Sequence, residues 1–178
     1  MPELPEVQTT VNGLKETIVG LQIVDAWSNY DSKYWIGSQN IKDFAYFRHF
    51  KKQVLGKKIV AVSRRAKNIL IELNSHVFIL IHMKMTGHLL FGTYEFNKRN
   101  GKFPWIPIKP ESLKDPYNRH IHFMLTFSNN KRLALSDARK FAKVTLIDAD
   151  DLAKTAHLSG LGPEPLEPHL PLRNSRDS

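Results

Sequence analysis

The second residue of the chain is a proline, and removal of the initiator methionine, which is normal before a small second residue, leaves Pro2 with a free secondary amine. An α-amino group titrates near about 8, so a useful fraction is neutral at physiological pH. A helix starting just behind it disfavours added positive charge and lowers that value. A neutral secondary amine attacks an aldehyde-like carbon and gives an iminium, and the adjacent Glu3 can act as acid or base. The bland reading is that Pro2 only resists proteases. The residues alone leave both open, and a retained Met1 would turn the Pro2 nitrogen into an inert amide.

Other residues able to do chemistry are scattered. Arg64, Arg65 and Lys67 crowd one short turn, where they suit phosphate or simply solvent. His82, Met85, Arg139 and Phe141 lie where strands meet loops. Taken singly, a Met or a Phe belongs in a core and an Arg on a surface. His120, with His122 two residues on, follows a long proline-rich stretch.

The elements that must position these groups are readable from periodicity. Pro5 and Glu6 suit a first helical turn; Val7, Val11, Leu14 and Ile18 recur at helical spacing, and Gly20 is a stop. Strands are predicted over Leu21–Trp27, Lys58–Ser63, Ile69–Leu73, Val77–His82, Leu89–Tyr94, His122–Phe127, Arg132–Leu135 and Lys143–Ile147. A second helix is predicted near 148–158. Residues 97–117, with four prolines, and 161–178, with four more, read as loop and tail. The fold expected is mostly β with helices (α+β): a two-layer antiparallel β-sandwich flanked by the N-terminal helix and the second helix.

Composition narrows the function classes. With 42% hydrophobic residues the 178-residue chain can bury an ordinary core. Its 26 Lys plus Arg against 17 Asp plus Glu give a net charge of +9, which points to phosphate or an anionic lipid face. There is no cysteine, which excludes disulfides, thiolate catalysis and cysteine-ligated zinc in this chain. No apolar run reaches the ~20 residues of a membrane span, and the start lacks a secretory signal, so a cytoplasmic protein is expected.

The string MPELPEV resembles the N-terminal signature of the formamidopyrimidine-DNA glycosylases, bacterial enzymes that excise oxidised purines. RRAKNILIEL (64–73) is similar to the family's basic hairpin turn and HMKMTGHL (82–89) to its strand and turn with a His and a Met. SDARKFAKV (136–144) is similar to its Asp-Pro-Arg-Arg-Phe-Gly loop, and LGPEPL (161–166) to its interdomain hinge. Any one motif is weak; five in order are specific.

The resemblance implies catalysis by Pro2, Glu3, Lys67 and Glu6: attack on the anomeric carbon, protonation of the sugar ring oxygen, phosphate contact with proton transfer, and ordering of the site. It implies DNA binding by His82, Met85, His120, Arg139 and Phe141, with Met85, Arg139 and Phe141 entering the duplex as the damaged nucleotide flips out. Lys102, Trp105 and Lys109 could add contacts, although exposure explains them equally well. Ala138 and Ala142 stand where the family has Pro and Gly, so the loop is expected to bend differently. The expected organisation is a catalytic domain over 1–160 and a hinge or tail over 161–178, with the family's helix-two-turn-helix and zinc-finger domain absent. The expected function is a DNA repair glycosylase with AP lyase activity on 8-oxoguanine and formamidopyrimidines, an activity that the missing half could impair. No cofactor in this chain, damaged double-stranded DNA as partner, no membrane and a monomeric state are expected. The alternatives are a non-catalytic DNA-binding remnant or isolated domain fragment, and a basic β-domain for RNA or lipid, which no motif favours.

Overall fold

The computed structural model describes residues 4–30 and 36–155. Pro2, Glu3 and the hinge motif at 161–166 lie outside the described residues. Helix α1 (Leu4–Thr17) buries Val7, Val11 and Leu14 on one face, with Glu6 in its first turn. Ile18, just beyond it, is fully buried. Gly20 then takes a positive φ and its N–H donates to the Ile59 carbonyl at 2.8 Å, so the helix stops against the sheet.

Among the described residues nine strands follow in order: β1 (Ile23–Ser28), β2 (Ile59–Arg65), β3 (Asn68–Leu73), β4 (Val77–His82), β5 (His88–Phe96), β6 (Trp105–Lys109), β7 (Ile121–Phe127), β8 (Arg132–Ser136) and β9 (Lys143–Asp148). Eight of them coincide with predicted strands to within a few residues. The ninth, β6, lies inside the segment read as a loop. A second helix, α2 (Phe44–Val54), has no counterpart among the predicted elements; Asp43 caps it by accepting from the Tyr46 N–H at 2.9 Å. Helix α3 (Ala149–Thr155) falls where the second helix is expected. Among the described residues no helix is long and apolar enough to cross a membrane.

The strands form two antiparallel sheets, β1-β7-β8-β5-β6 and β2-β3-β4-β9. Strand periodicity assigns the faces. Ile69, Ile71 and Leu73 of β3 share one core with Phe123, Leu125 and Phe127 of β7, and α1 and α2 add Val7, Val11, Phe50 and Val54 to it. Burying each large side chain there contributes about 1.5–3 kcal/mol. The alternate residues face outward into smaller clusters. Met124 and Ala134 are covered by Trp105 and Leu113 from the long segment between β5 and β7. Leu70 and Phe78 are covered by Leu152 of α3. The central strands β3, β7 and β8 are therefore buried on both faces, which explains why they read as near-continuous hydrophobic runs.

Candidate functional site

Three loops meet at one end of the sandwich, because Asn68, His82 and Lys143 are register partners on neighbouring strands. They are the β2–β3 turn, the β4–β5 turn and the β8–β9 loop. In the first, Arg64 and Arg65 are buried rather than solvated, which corrects the bland reading of this basic cluster. Arg64 Nε donates to Gln8 Oε1 of α1 at 2.7 Å, and Arg65 Nη1 donates to the Leu152 carbonyl of α3 at 3.2 Å. The two guanidiniums thus fasten the turn to a helix on each side, and only Lys67 of the three is partly exposed.

The β4–β5 turn separates two methionines: Met83 is 3% exposed and Met85 is 49% exposed. Gly87 closes the turn by donating to the Met83 carbonyl at 2.9 Å. A Cβ at Gly87 would collide with that carbonyl oxygen and come within 3.2 Å of the Ala142 Cβ, so only glycine lets the second and third loops approach. In the third loop Phe141 is 44% exposed, and the Arg139 guanidinium lies 4.7 Å from its ring centroid. Met85, Arg139 and Phe141 thus project from two adjoining loops.

Asp137 joins those loops. It is fully buried. Oδ1 accepts from the Thr86 hydroxyl at 2.6 Å; Oδ2 accepts from the Ala142 N–H at 2.7 Å and from the Tyr30 hydroxyl at 2.9 Å. Burial, with Asp137 beside it, pushes the Tyr30 hydroxyl well above the ordinary phenol range. The Asp137 N–H in turn donates to the His120 carbonyl at 2.8 Å. Ala142 is buried, and its N–H meets Asp137.

The electrostatics are cationic. Burial, then Lys84, Lys67 and Lys143, lower the His82 pKa to about 4. Its Nδ1 accepts from the Lys84 N–H at 3.0 Å, which leaves the neutral ring's proton on Nε2. Lys42 is buried nearby over the Tyr30 ring; burial lowers its pKa, Asp137 opposes that, and Lys84 and Lys143 reinforce it. His122 is lowered to about 4 by burial and then by Lys140, against a raising effect of Asp137. Such a surface attracts phosphate, and its exposed apolar side chains suit a gap between bases.

Glu6 is exposed on α1 and shares a cavity of about 350 Å³ with Met85, Thr86, His88 and Tyr117. The structure therefore brings Glu6 and Met85 to one cavity, Lys67 and His82 to one charge cluster, and Arg139 and Phe141 to the adjoining loop. His120 reaches this group through its carbonyl, while its ring packs edge-on against Phe103. Trp105 is 8% exposed, between Trp27, Phe96 and Arg132, and so is a packing residue rather than a surface contact; Lys102 and Lys109 are exposed. Sequence reasoning missed Asp137, although it is the second residue of the matched SDARKF segment, and gave no signal for Tyr30 or Lys42.

Residues 1–144 match the family model of the formamidopyrimidine-DNA glycosylase N-terminal domain. A formamidopyrimidine-DNA glycosylase of Herpetosiphon aurantiacus is 32% identical over 93% of this chain and 50% of its own length. One of Chloroflexus aggregans is 34% identical over 93% and 50%. Among solved structures, Lactococcus lactis Fpg in complex with abasic-site DNA aligns with a TM-score of 0.69 and 26% identity over 94% of this chain and 52% of that one. The same protein with FAPY-dG DNA gives 0.68 and 27% over 92% and 51%. The chain thus spans about half the length of the curated relatives it matches.

Proposed function

Because the chain belongs to the formamidopyrimidine-DNA glycosylase family through its N-terminal domain, we propose that it is a DNA repair glycosylase with AP lyase activity. Its substrates are oxidised purines, 8-oxoguanine and formamidopyrimidines, in double-stranded DNA. The observation that carries this reading is the exposed trio Met85, Arg139 and Phe141 on two loops pinned by the buried Asp137, beside the lysines around His82. Flipping a nucleotide leaves a hole and an orphan base, at a cost of a few kcal/mol, roughly. An apolar wedge from Met85 and Phe141 fills the hole, and Arg139 hydrogen-bonds to the orphan. Lys67 and the Nε2–H of His82 hold the phosphates alongside, with His120 as a further contact.

Pro2 supplies the nucleophile. Its nitrogen bonds to C1′ as the C1′–base bond breaks and the base leaves with a proton. Glu3 protonates the ring oxygen, which opens the sugar and leaves an iminium between Pro2 and C1′. Glu6 orders the site. The iminium withdraws electrons, so loss of a C2′ proton expels the 3′ phosphate, and a second elimination expels the 5′ phosphate, with Lys67 carrying protons. This route needs no metal or other cofactor. We place the activity in the cytoplasm, away from membranes, and in a monomer, with residues 1–160 as the catalytic domain and 161–178 as hinge or tail.

The alternative, a non-catalytic DNA-binding remnant or isolated fragment, draws support from the half-length match. Borohydride reduction in the presence of an oligonucleotide bearing 8-oxoguanine or an abasic site separates the two. Methionine-free protein is expected to give a covalent adduct that Pro2→Gly abolishes. Salt-sensitive binding with no adduct, and no effect of Pro2→Gly, establishes the remnant instead.

A further inference from the structure

The segment between β5 and β7 does more than cover the outer face of its sheet. It ends in a 3-10 turn, Pro116–Asn118, that delivers Tyr117 to the rim of the Glu6–Met85 cavity. The Tyr117 ring stacks on His88 with centroids 4.6 Å apart and planes 4° from parallel, yet the residue is 61% exposed. One face is engaged and the remainder is open.

The stack is held from several sides. Asp115 caps the turn by accepting from the Tyr117 N–H at 2.9 Å. His88 Nε2 lies 2.8 Å from Asn118 Oδ1 and its Nδ1 lies 3.2 Å from the Thr86 carbonyl. Asn118 Nδ2 donates to the Ser112 carbonyl at 3.0 Å. Further back, Phe103 packs against His120 and under the Arg119 guanidinium. At Gly92 a Cβ would collide with the Lys109 carbonyl oxygen, so the segment returns tight against β5. An exposed aromatic ring fixed this well is preorganised to receive a flat partner.

The cavity beneath has the chemistry of a nucleobase site. Its volume of about 350 Å³ falls in the range of small-ligand clefts. Met83 and Met85 give an apolar wall; the Glu6 carboxylate gives an acceptor for the N–H groups of a heteroaromatic edge, and the Thr10 hydroxyl, which donates to the Glu6 carbonyl at 3.0 Å, keeps its oxygen as a second acceptor. Extruded bases are recognised in this way, by stacking on one ring face and hydrogen bonds at the edge.

We propose that Tyr117, supported by His88, is a stacking platform for the extruded base. The inference deepens the proposed glycosylase reading and rests on it. Its test compares two substrates and one binding signal. Tyr117→Ala is expected to slow single-turnover release of 8-oxoguanine by about tenfold, since base–aromatic stacking has that order of effect. It should leave cleavage at a preformed abasic site, where there is no base to stack, within about twofold of wild type. Tyr117→Phe should retain both rates. A duplex with an extruded 2-aminopurine should be quenched on binding by wild type and remain bright on binding by Tyr117→Ala. Equal losses on both substrates, or quenching that persists in Tyr117→Ala, overturn the inference. Tyr117-dependent quenching without any cleavage by wild type sustains the stacking role while removing the catalytic reading. Failure to bind the duplex at all removes both.

Discussion

The two ends of the sandwich are built from the same strands and behave as different kinds of surface. At one end, the α1–β1 connection, the β2 entry, the β3–β4 turn and the β7–β8 turn are laced by backbone bonds: Ser128 N–H to the Gln22 carbonyl and Asn74 N–H to the Lys58 carbonyl, both at 2.9 Å. Positive φ there falls largely on residues suited to it, Gly20, Gly56 and Asn130, with His76 the exception. At the other end the positive-φ residues of the three site loops are Ala66, Lys84 and Lys140. None is a turn former, and these loops are tied by side chains: Arg64, Arg65 and above all Asp137. The first end uses residues at ease in turns. The second tolerates unfavourable backbone in order to present lysines, a methionine and a phenylalanine in fixed places, as sites with a binding task commonly do.

The strongest break in that contrast is Asp137→Ala. It leaves the buried Tyr30 hydroxyl, the Thr86 hydroxyl and the Ala142 N–H without their acceptor, for an expected loss on the order of 3 kcal/mol in unfolding free energy. Asn130→Gly at the opposite end keeps a residue at ease with positive φ and should change stability by less than about 0.5 kcal/mol. Urea midpoints of the two variants check the pair; similar losses would mean that Asp137 is not the organiser.

The unequal ends also explain what the sequence discloses. Helix α1 and eight strands are legible because Val7–Val11–Leu14–Ile18 keeps helical spacing and the strand residues fill two buried faces. Helix α2 is hidden because Phe44, Tyr46, Phe47, His49 and Phe50 are weak helix formers, and packing of Phe50 and Val54 into the core decides its structure. Strand β6 is hidden by Pro107, which an edge strand tolerates because one side of it needs no ladder. Where the motif residues sit is legible: Lys67, Met85, Arg139 and Phe141 fall on the three loops and His82 ends β4. The device that joins them is not, since Asp137 meets Tyr30 from 107 residues away. Nor does an arginine's type reveal that Arg64 would be buried against Gln8.

A second difference between the ends is their response to pH. The pKa values of His82 and His122 are lowered to about 4 from an ordinary 6.5. Between those values the unfolded chain takes up protons that the folded chain refuses. The contribution is therefore complete above pH ~6.5 and is lost as pH falls towards 4. With both rings partly exposed, the combined loss is roughly 2 kcal/mol. Denaturation midpoints at pH 7.5 and 5 measure it, and His82→Gln should flatten the profile. An unchanged profile in that variant would place the sensitivity elsewhere.

Glycine replacements sharpen the backbone side of the comparison. Removing the Cβ at Ala66, Lys84 or Lys140 relieves the left-handed conformation, against the extra chain entropy of glycine, for a net gain of about 0.5 kcal/mol each. Ala66→Gly alters no charge and should leave DNA affinity as it was. Lys84→Gly and Lys140→Gly should be equally stabilised yet bind DNA with a shallower salt dependence, by about 0.9 in log–log slope for each phosphate no longer neutralised. Thermal midpoints and salt titrations on one duplex separate the two effects; no change in slope would place those lysines off the phosphates.

The smallest effect on stability is expected where the functional effect is concentrated. Met85 and Phe141 are 49% and 44% exposed, so Met85→Ser and Phe141→Ser should each shift unfolding by less than about 0.5 kcal/mol. Two residues away, Met83 is 3% exposed and belongs to the main core, and Met83→Ser should cost about 2–4 kcal/mol. If Met85 and Phe141 fill the gap left by an extruded nucleotide, both serine variants lose preference for abasic-site duplex over intact duplex while retaining non-specific affinity, because the neighbouring lysines are untouched. Competition binding with the two duplexes reads this directly. Retained preference would return both side chains to the class of incidental surface hydrophobics and leave the two ends of the sandwich distinguished by charge alone.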